Sequence, residues 1–305
     1  MITSASVDPL IPPLRINKFL IELIAEISET PTDQVAFQFK QEHTDLGGSV
    51  RRAMAEKGIQ FYEWSSELEQ FYASTDAFLY ETLVWNRSGL KNEMRSWIGE
   101  YLAKVSTAPQ RVLTFGDGLG IDAYYLAQLG HEVTYFEISQ QCAEFARRIF
   151  ERGNLQVTML DTPEQLEPNS FDAVICLDVL EHVPDPLSLV GWLSSNLRDS
   201  GKLFIHAPFH YLHPAVTTHL RSNRRYSGDL HTLYAPHGLF PVDGQLFWNP
   251  IVFEKSESAK PRRLPRQLQI GSFLLGIGKH WSTPHNLVAQ MLINTKRLAA
   301  MVEEG

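Results

Sequence analysis

At 305 residues the chain is long enough for one large domain with additions or for two modest domains. Hydrophobic residues make up 44% and charged residues 20%, an ordinary globular balance that excludes disordered, collagen-like and coiled-coil classes. The 27 Lys and Arg against 35 Asp and Glu leave a net charge of −8, which repels a phosphate backbone, so nucleic acid is not the expected partner.

The opening stretch MITSASVDPLIPPLRINKF lacks the basic region and apolar run of a secretory signal. No apolar stretch approaches the roughly 20 residues of a membrane span, and the expected compartment is the cytoplasm. From about residue 15 to 105 the pattern is helical. Phe19, Leu20, Leu23, Ile24 and Ile27 recur on one face of a 3.6-residue period. Gly47 and Gly48 break the pattern once. Residues 61 to 85 carry Phe61, Tyr62, Trp64, Phe71, Tyr72, Phe78, Tyr80 and Trp85, a density that suits core packing, with a lid over a substrate pocket as the alternative.

Beyond Pro109 short apolar runs alternate with amphipathic helical stretches. The runs are Arg111 to Phe115, Glu132 to Phe136, Leu155 to Met159, Phe171 to Leu177 and Lys202 to Ala207. Alternating strand and helix implies a parallel sheet with helices on both faces. After His237 two runs lie close together, Leu239 to Val242 and Leu246 to Phe253, split by Asp243-Gly244, which reads as the turn of an antiparallel hairpin. Cys142 and Cys176 fall in an apolar helix and strand and read as buried free thiols. A basic link, Lys260-Pro-Arg-Arg-Leu-Pro-Arg266, precedes a tail with Ile270, Phe273, Leu274, Leu275 and Ile277, expected to pack on the domain or across a dimer, with a membrane surface as the alternative. Its last apolar face is Leu287, Val288, Met291, Leu292, Leu298 and Val302. The resulting divisions are 1–106, a helical lid, substrate or dimerisation domain; 107–256, the alternating domain; and 257–305, a helical extension.

Four features carry chemistry. The first run enters the turn Gly116-Asp-Gly-Leu-Gly120 and then a helix, where free N–H groups and glycine backbone suit a nucleotide-type ligand. A dinucleotide turn wants G-x-G-x-x-G, and Ile121 stands where its last glycine would fall, which disfavours a nicotinamide cofactor. The second run ends on Glu137, placed to accept hydrogen bonds from both hydroxyls of a ribose. Asp161 closes the third, in reach of an exocyclic amine, with Thr162 beside it. The fourth is FDAVICLDVLEHVPDP, residues 171 to 186.

These elements, in this order over about residues 107 to 254, resemble the class I S-adenosylmethionine-dependent methyltransferases, nearest the small-molecule group that shares an L-E-H-V segment after the fourth strand. The resemblance implies an α/β fold with a seven-stranded, mostly parallel, doubly wound sheet of order 3-2-1-4-5-7-6 and strand 7 antiparallel. It implies that Gly116, Gly118 and Gly120 line the cofactor, that Glu137 holds its ribose and Asp161 its adenine amine, and that Asp178 borders the methyl-donating sulfur. One departure is Thr114, where family members usually carry an acid. Support for the cofactor's amine is then expected from Asp117 or through water.

Six of the eleven histidines lie between 206 and 237: His206, His210, His213, His219, His231 and His237. Methyl transfer to a hydroxyl or ammonium needs a proton removed, and histidine suits that task near neutral pH. The expected base is His210 or His182, with His206 supporting and no metal. Arg221, Arg224, Arg225 and Tyr226 follow, either a solvated loop or an anion site beside the acceptor. The expected function is transfer of a methyl group from S-adenosylmethionine to O, N or C of a small-molecule acceptor, with a homodimer left open. The alternatives are a metal-assisted transferase using the histidine cluster, and a non-catalytic protein that binds the cofactor.

Overall fold

The computed structural model describes residues 8, 10, 17–244, 250–256, 264–281, 283 and 287. Lys260 to Arg263 of the basic link and Val288 to Val302 of the tail lie outside the described residues, as do residues 245–249.

Six helices precede the sheet: α1 (Lys18–Ile27), α2 (Thr32–Thr44), α3 (Gly48–Glu56), α4 (Ser66–Ser74), α5 (Ala77–Asn86) and α6 (Gly89–Val105). Their starts follow from side-chain caps. The Asn17 Oδ1 accepts the Leu20 N–H at 3.1 Å, Ser65 Oγ the Leu68 N–H at 3.2 Å, and Ser88 Oγ the Lys91 N–H at 3.1 Å. Gly47 sits in the left-handed region with φ 75°, and an added Cβ there would meet the Ala215 carbonyl oxygen at 2.1 Å, so the predicted break is held by close backbone approach.

The alternating part forms β1 (Arg111–Phe115), α7 (Ile121–Gln128), β2 (Glu132–Phe136), α8 (Gln140–Arg152), β3 (Val157–Met159), β4 (Phe171–Leu177), α9 (Pro186–Asn196), β5 (Leu197–His206), β6 (Leu239–Gly244) and β7 (Ile251–Lys255). The sheet order is β3-β2-β1-β4-β5-β7-β6, with β7 antiparallel to both β5 and β6. This is the predicted doubly wound arrangement. Alternate residues of β4 point to opposite faces: Ala173, Ile175 and Leu177 join a core with α1, α2 and α5 to α8, while Val174 and Cys176 join a second core with α9 and Leu230 to Leu239. Both cysteines are buried and free.

Two boundaries differ from expectation. β5 begins at Leu197, because Leu197 pairs with Phe171 before a register shift carries Lys202 opposite Ala173. The dipeptide Asp243-Gly244 is part of β6, pairing with Val252 and Ile251, so the chain does not turn there. A turn signal loses to pairing when the partner strand extends beneath it.

The tail helix α10 (Arg266–Ile277) buries only Leu268. Its anchor is polar: Ser227 Oγ donates to the Leu275 carbonyl at 2.7 Å and Ser272 Oγ to the Gly228 carbonyl. Of the apolar residues expected to pack on the domain or across a dimer, Ile270, Phe273, Leu274 and Ile277 are exposed, Phe273 by 71%, while Leu275 is half-buried.

Candidate active site

A cavity of about 310 Å³ opens at the carboxyl edge of the sheet, where β1, β2, β4 and β5 end. The sheet side supplies Gly116 to Gly118, Glu137 to Ser139, Leu177 to Val179 and His206. The helical side supplies Tyr72, Phe78, Glu81, Thr82, Trp85 and Lys91. The connection after β5 supplies Tyr211, Val216, Thr218 and His219. Of the aromatic stretch, Phe71 and Tyr80 are core, whereas Trp64, Tyr72, Phe78 and Trp85 line the cavity.

The glycine turn is shaped for backbone proximity. Gly116, Gly118 and Gly120 have φ of 69°, 59° and 70°. A Cβ on Gly116 would meet Val179 at 2.6 Å, and one on Gly118 would meet Thr82 at 3.0 Å, filling the space where a ligand reaches the turn. Glu137 Oε2 accepts the Gly118 N–H at 2.8 Å and its Oε1 the Ser139 N–H at 2.9 Å. Burial pushes the Glu137 carboxyl up despite these bonds.

Asp178 is the polar hub. It follows β4 directly, has φ 60°, and keeps that uncommon conformation at the cavity floor. Its Oδ1 lies 2.5 Å from His206 Nδ1, and its Oδ2 accepts the Trp85 indole N–H at 2.9 Å and faces Lys91 Nζ at 3.4 Å. Burial opposes the charge, but the His206 ring and Lys91 outweigh it and hold the carboxyl well below the usual carboxylate range. Lys91 also lies 3.2 Å from Asp122, which Arg95 Nε contacts at 2.7 Å. Burial works against the Lys91 charge, yet Asp122 and Asp178 raise its pKa above the ordinary lysine value.

The histidines divide. His206 is 6% exposed, lines the cavity, and its Nε2 has no hydrogen-bond partner among the described residues. His182 lines the cavity with Nδ1 3.0 Å from the Tyr72 hydroxyl, and burial pushes it down to about 4. His219 lines it too. His210, expected as a base, instead lines a separate cavity of about 40 Å³ with Tyr226, Asp229 and Leu275. The chain turns after Pro208, as the Tyr211 N–H bonds to its carbonyl at 2.8 Å, and His210 lies outside the lining of the main cavity.

Other expected residues are placed differently as well. Asp117 lines the cavity, but its oxygens accept the Asp122 and Ala123 N–H groups at 3.1 and 2.7 Å, capping the first turn of α7. Burial and the Asp122 charge push its carboxyl up to about 8. Asp161 and Thr162 follow β3 but are exposed and outside the cavity wall, their N–H groups donating to Gln165 Oε1. Arg224 donates to the Gly278 and Lys279 carbonyls at 3.1 Å, while Arg221 and Arg225 are exposed, so the basic group does not face the cavity. Sequence reasoning missed Lys91 and Arg95. Two cations four apart on one helix repel unless carboxylates face them, and that spacing was the available signal.

A sheet of this order, with a glycine turn after its first strand and a half-buried acid after its second, defines a class I S-adenosylmethionine-dependent methyltransferase. Residues 87–239, half of the chain, match the methyltransferase domain family, and the chain belongs to it. It is 32% identical over 157 residues to a ubiquinone biosynthesis O-methyltransferase of Xanthomonas euvesicatoria pv. vesicatoria, covering 49% of this chain and 62% of that protein. A protein of the same name from Xanthomonas campestris pv. campestris is 36% identical over 107 residues, 34% of this chain and 45% of that one. The chain thus spans less than two thirds of the length of these curated relatives. A solved structure of magnesium protoporphyrin IX methyltransferase from Synechocystis PCC 6803 with bound cofactor aligns over 62% of this chain and 94% of that one, at 20% identity and a TM-score of 0.45.

Proposed function

We propose that the protein methylates an oxygen of a small-molecule acceptor, with His206 as the general base. The observation that carries this reading is the Asp178–His206 pair at the cavity wall. A carboxylate on Nδ1 fixes the imidazole with Nε2 as its acceptor nitrogen, and that nitrogen has no other described partner. The choice of oxygen follows the names of the curated relatives.

The donor set fits the cofactor: glycine backbone that a Cβ would fill, the Glu137 carboxylate for a ribose, and the exposed Ile138 side chain at the cavity wall against a base. Bound there, S-adenosylmethionine supplies an electrophilic methyl group on a sulfonium centre. Lys91 and Asp178, charged and mutually paired, hold the zwitterionic end of such a ligand. Asp178 keeps the His206 ring oriented and stabilises the cation formed when Nε2 takes the acceptor's proton. The helical residues 18–105 of division 1–106 act as a lid whose aromatics exclude water; division 107–256 binds the cofactor, and 257–305 is a helical extension.

His206→Ala should lower kcat by about 10²–10⁴, the usual worth of a general base, with cofactor affinity changed by no more than about twofold. Turnover of an acceptor panel beside calorimetry with S-adenosylhomocysteine checks both. Unchanged kcat on a turned-over acceptor would transfer the role to another side chain.

A further inference from the structure

We propose that the tail helix α10, with the basic sequence around it, docks the protein on the surface of an anionic lipid bilayer. The first observation is an asymmetry of charge. Residues 258–302 carry Lys260, Arg262, Arg263, Arg266, Lys279, Lys296 and Arg297 and no Asp or Glu, in a chain whose net charge is −8. The rest of the chain is therefore more acidic still. A stretch of one sign set against a body of the other suits an acidic surface. A symmetric dimer through α10 would instead bring two such stretches together, like charge against like.

The second observation is an apolar face. Ile270, Phe273, Ile277 and Trp281 recur at i, i+3, i+7 and i+11, and they are 50%, 71%, 40% and 64% exposed. The helical turn runs on past Ile277, since the Trp281 N–H donates to the Ile277 carbonyl at 3.0 Å, so Trp281 shares that face. With Leu274 and Leu287 these are six of the twelve exposed large hydrophobic side chains among the described residues, so the exposure is concentrated in the tail. An indole at the end of the stripe suits the boundary between headgroups and acyl chains. Arg266 and His280, both exposed, flank the stripe at its two ends. No described helix is long and apolar enough to cross a membrane. The fit is to a helix lying in the plane of the interface, its apolar face in the acyl boundary and its cations among the headgroups.

The opposite face holds α10 to the sheet domain. Leu268 is buried, Ser272 Oγ donates to the Gly228 carbonyl, and Ser227 Oγ donates to the Leu275 carbonyl at 2.7 Å. Arg224 closes the end through the Gly278 and Lys279 carbonyls. A Cβ on Gly228 would lie 2.4 Å from the Gly276 nitrogen, so the loop and the helix backbone are in direct contact. A helix fixed in this way presents its apolar face without first having to be ordered, which removes one cost of binding.

The test is co-sedimentation of the full chain with vesicles of phosphatidylcholine containing about one third phosphatidylglycerol, against vesicles of phosphatidylcholine alone. Partition to the anionic vesicles is expected to be about 100-fold stronger or more, and to weaken as salt is added. The double variant Phe273→Ser/Ile277→Ser should lose about tenfold or more. The triple variant Arg262→Gln/Arg263→Gln/Arg266→Gln should lose about 100-fold, at about fivefold per cation. Both should bind S-adenosylhomocysteine within about threefold of the unsubstituted chain, which shows that they fold. Phe37→Ser, at an exposed ring on α2, should leave partition unchanged. Bromine-labelled acyl chains should quench tryptophan fluorescence, and Trp281→Phe should remove most of that quenching. Absence of partition to the anionic vesicles overturns the proposal, as does full partition in either the double or the triple variant. A lipid-free oligomer that the double variant dissociates, with no vesicle binding, assigns the face to a second copy instead. The readout is partition between lipid and water, so this result stands apart from the His206 reading, which is scored on turnover.

Discussion

Glu137 shows how far a single residue could be read in advance. Its place at the end of the second strand followed from the alternation of runs, and the structure puts it in the cavity wall bonded to the glycine turn. Glu137→Ala is expected to weaken S-adenosylmethionine binding by about 1.5–3 kcal/mol, the scale of hydrogen bonds to a charged group. Calorimetry giving unchanged affinity would take the residue out of the site. Lys91 shows the converse. Its spacing from Arg95 on one helix is the local mark, and its role arises because α6 crosses the sheet edge where Asp122 and Asp178 converge. His210 and His206 are four residues apart, and one turn of chain leaves His206 in the wall of the main cavity while His210 borders only the smaller one beside it.

Among elements, strands and helices were legible where burial imposes a period and less so where pairing sets the end. The hydrophobic run of β4 fixed both its limits, because both faces are covered. The start of β5 and the end of β6 depend on what lies alongside, and the sequence misplaced each. The glycine turn joins these levels. Gly120 has φ 70°, and a Cβ there would lie 2.7 Å from the Ala146 Cβ and 2.8 Å from Phe150 Cζ, both on α8. Gly120→Ala should cost about 1–3 kcal/mol of stability through overpacking, before any strain from positive φ is added. Denaturant titration checks it; an unchanged midpoint would mean that α8 yields freely.

For the molecule as a whole, the helical layer and the sheet share one core. Leu20, Ile24, Val35 and Leu83 of the leading helices belong to the same cluster as Val112, Ile175 and Phe204 of the strands. The joint between them encloses ionisable groups. Burial, with the Glu42 charge adding to it, pushes Glu81 up to about 8. Its carboxyl is therefore protonated in the folded chain and ionised in the unfolded chain between the ordinary value of about 4.3 and about 8, so the folded state binds more protons there. Stability then falls as pH rises through that window. Glu81→Gln should flatten the fall by at most about 1.4 kcal/mol per pH unit, and by less where water enters the cavity. Thermal denaturation of both proteins from about pH 5 to pH 8 measures the difference in slope, and parallel curves would show that Glu81 is not the source.

By itself the sequence determined the class of fold, the strand order that a class I methyltransferase implies, the glycine turn and the acid after the second strand. These are local or periodic signals, set by backbone freedom at glycine and by which faces a strand must bury. Only the tertiary structure decided which histidines share a cavity, that Asp117 caps a helix, and that Lys91 and Trp85 converge on Asp178. It alone brought His219 beside Glu181 and His182. Such contacts join side chains from separate elements, and their distances depend on how helices cross the sheet edge, a relation that spacing along one chain does not encode.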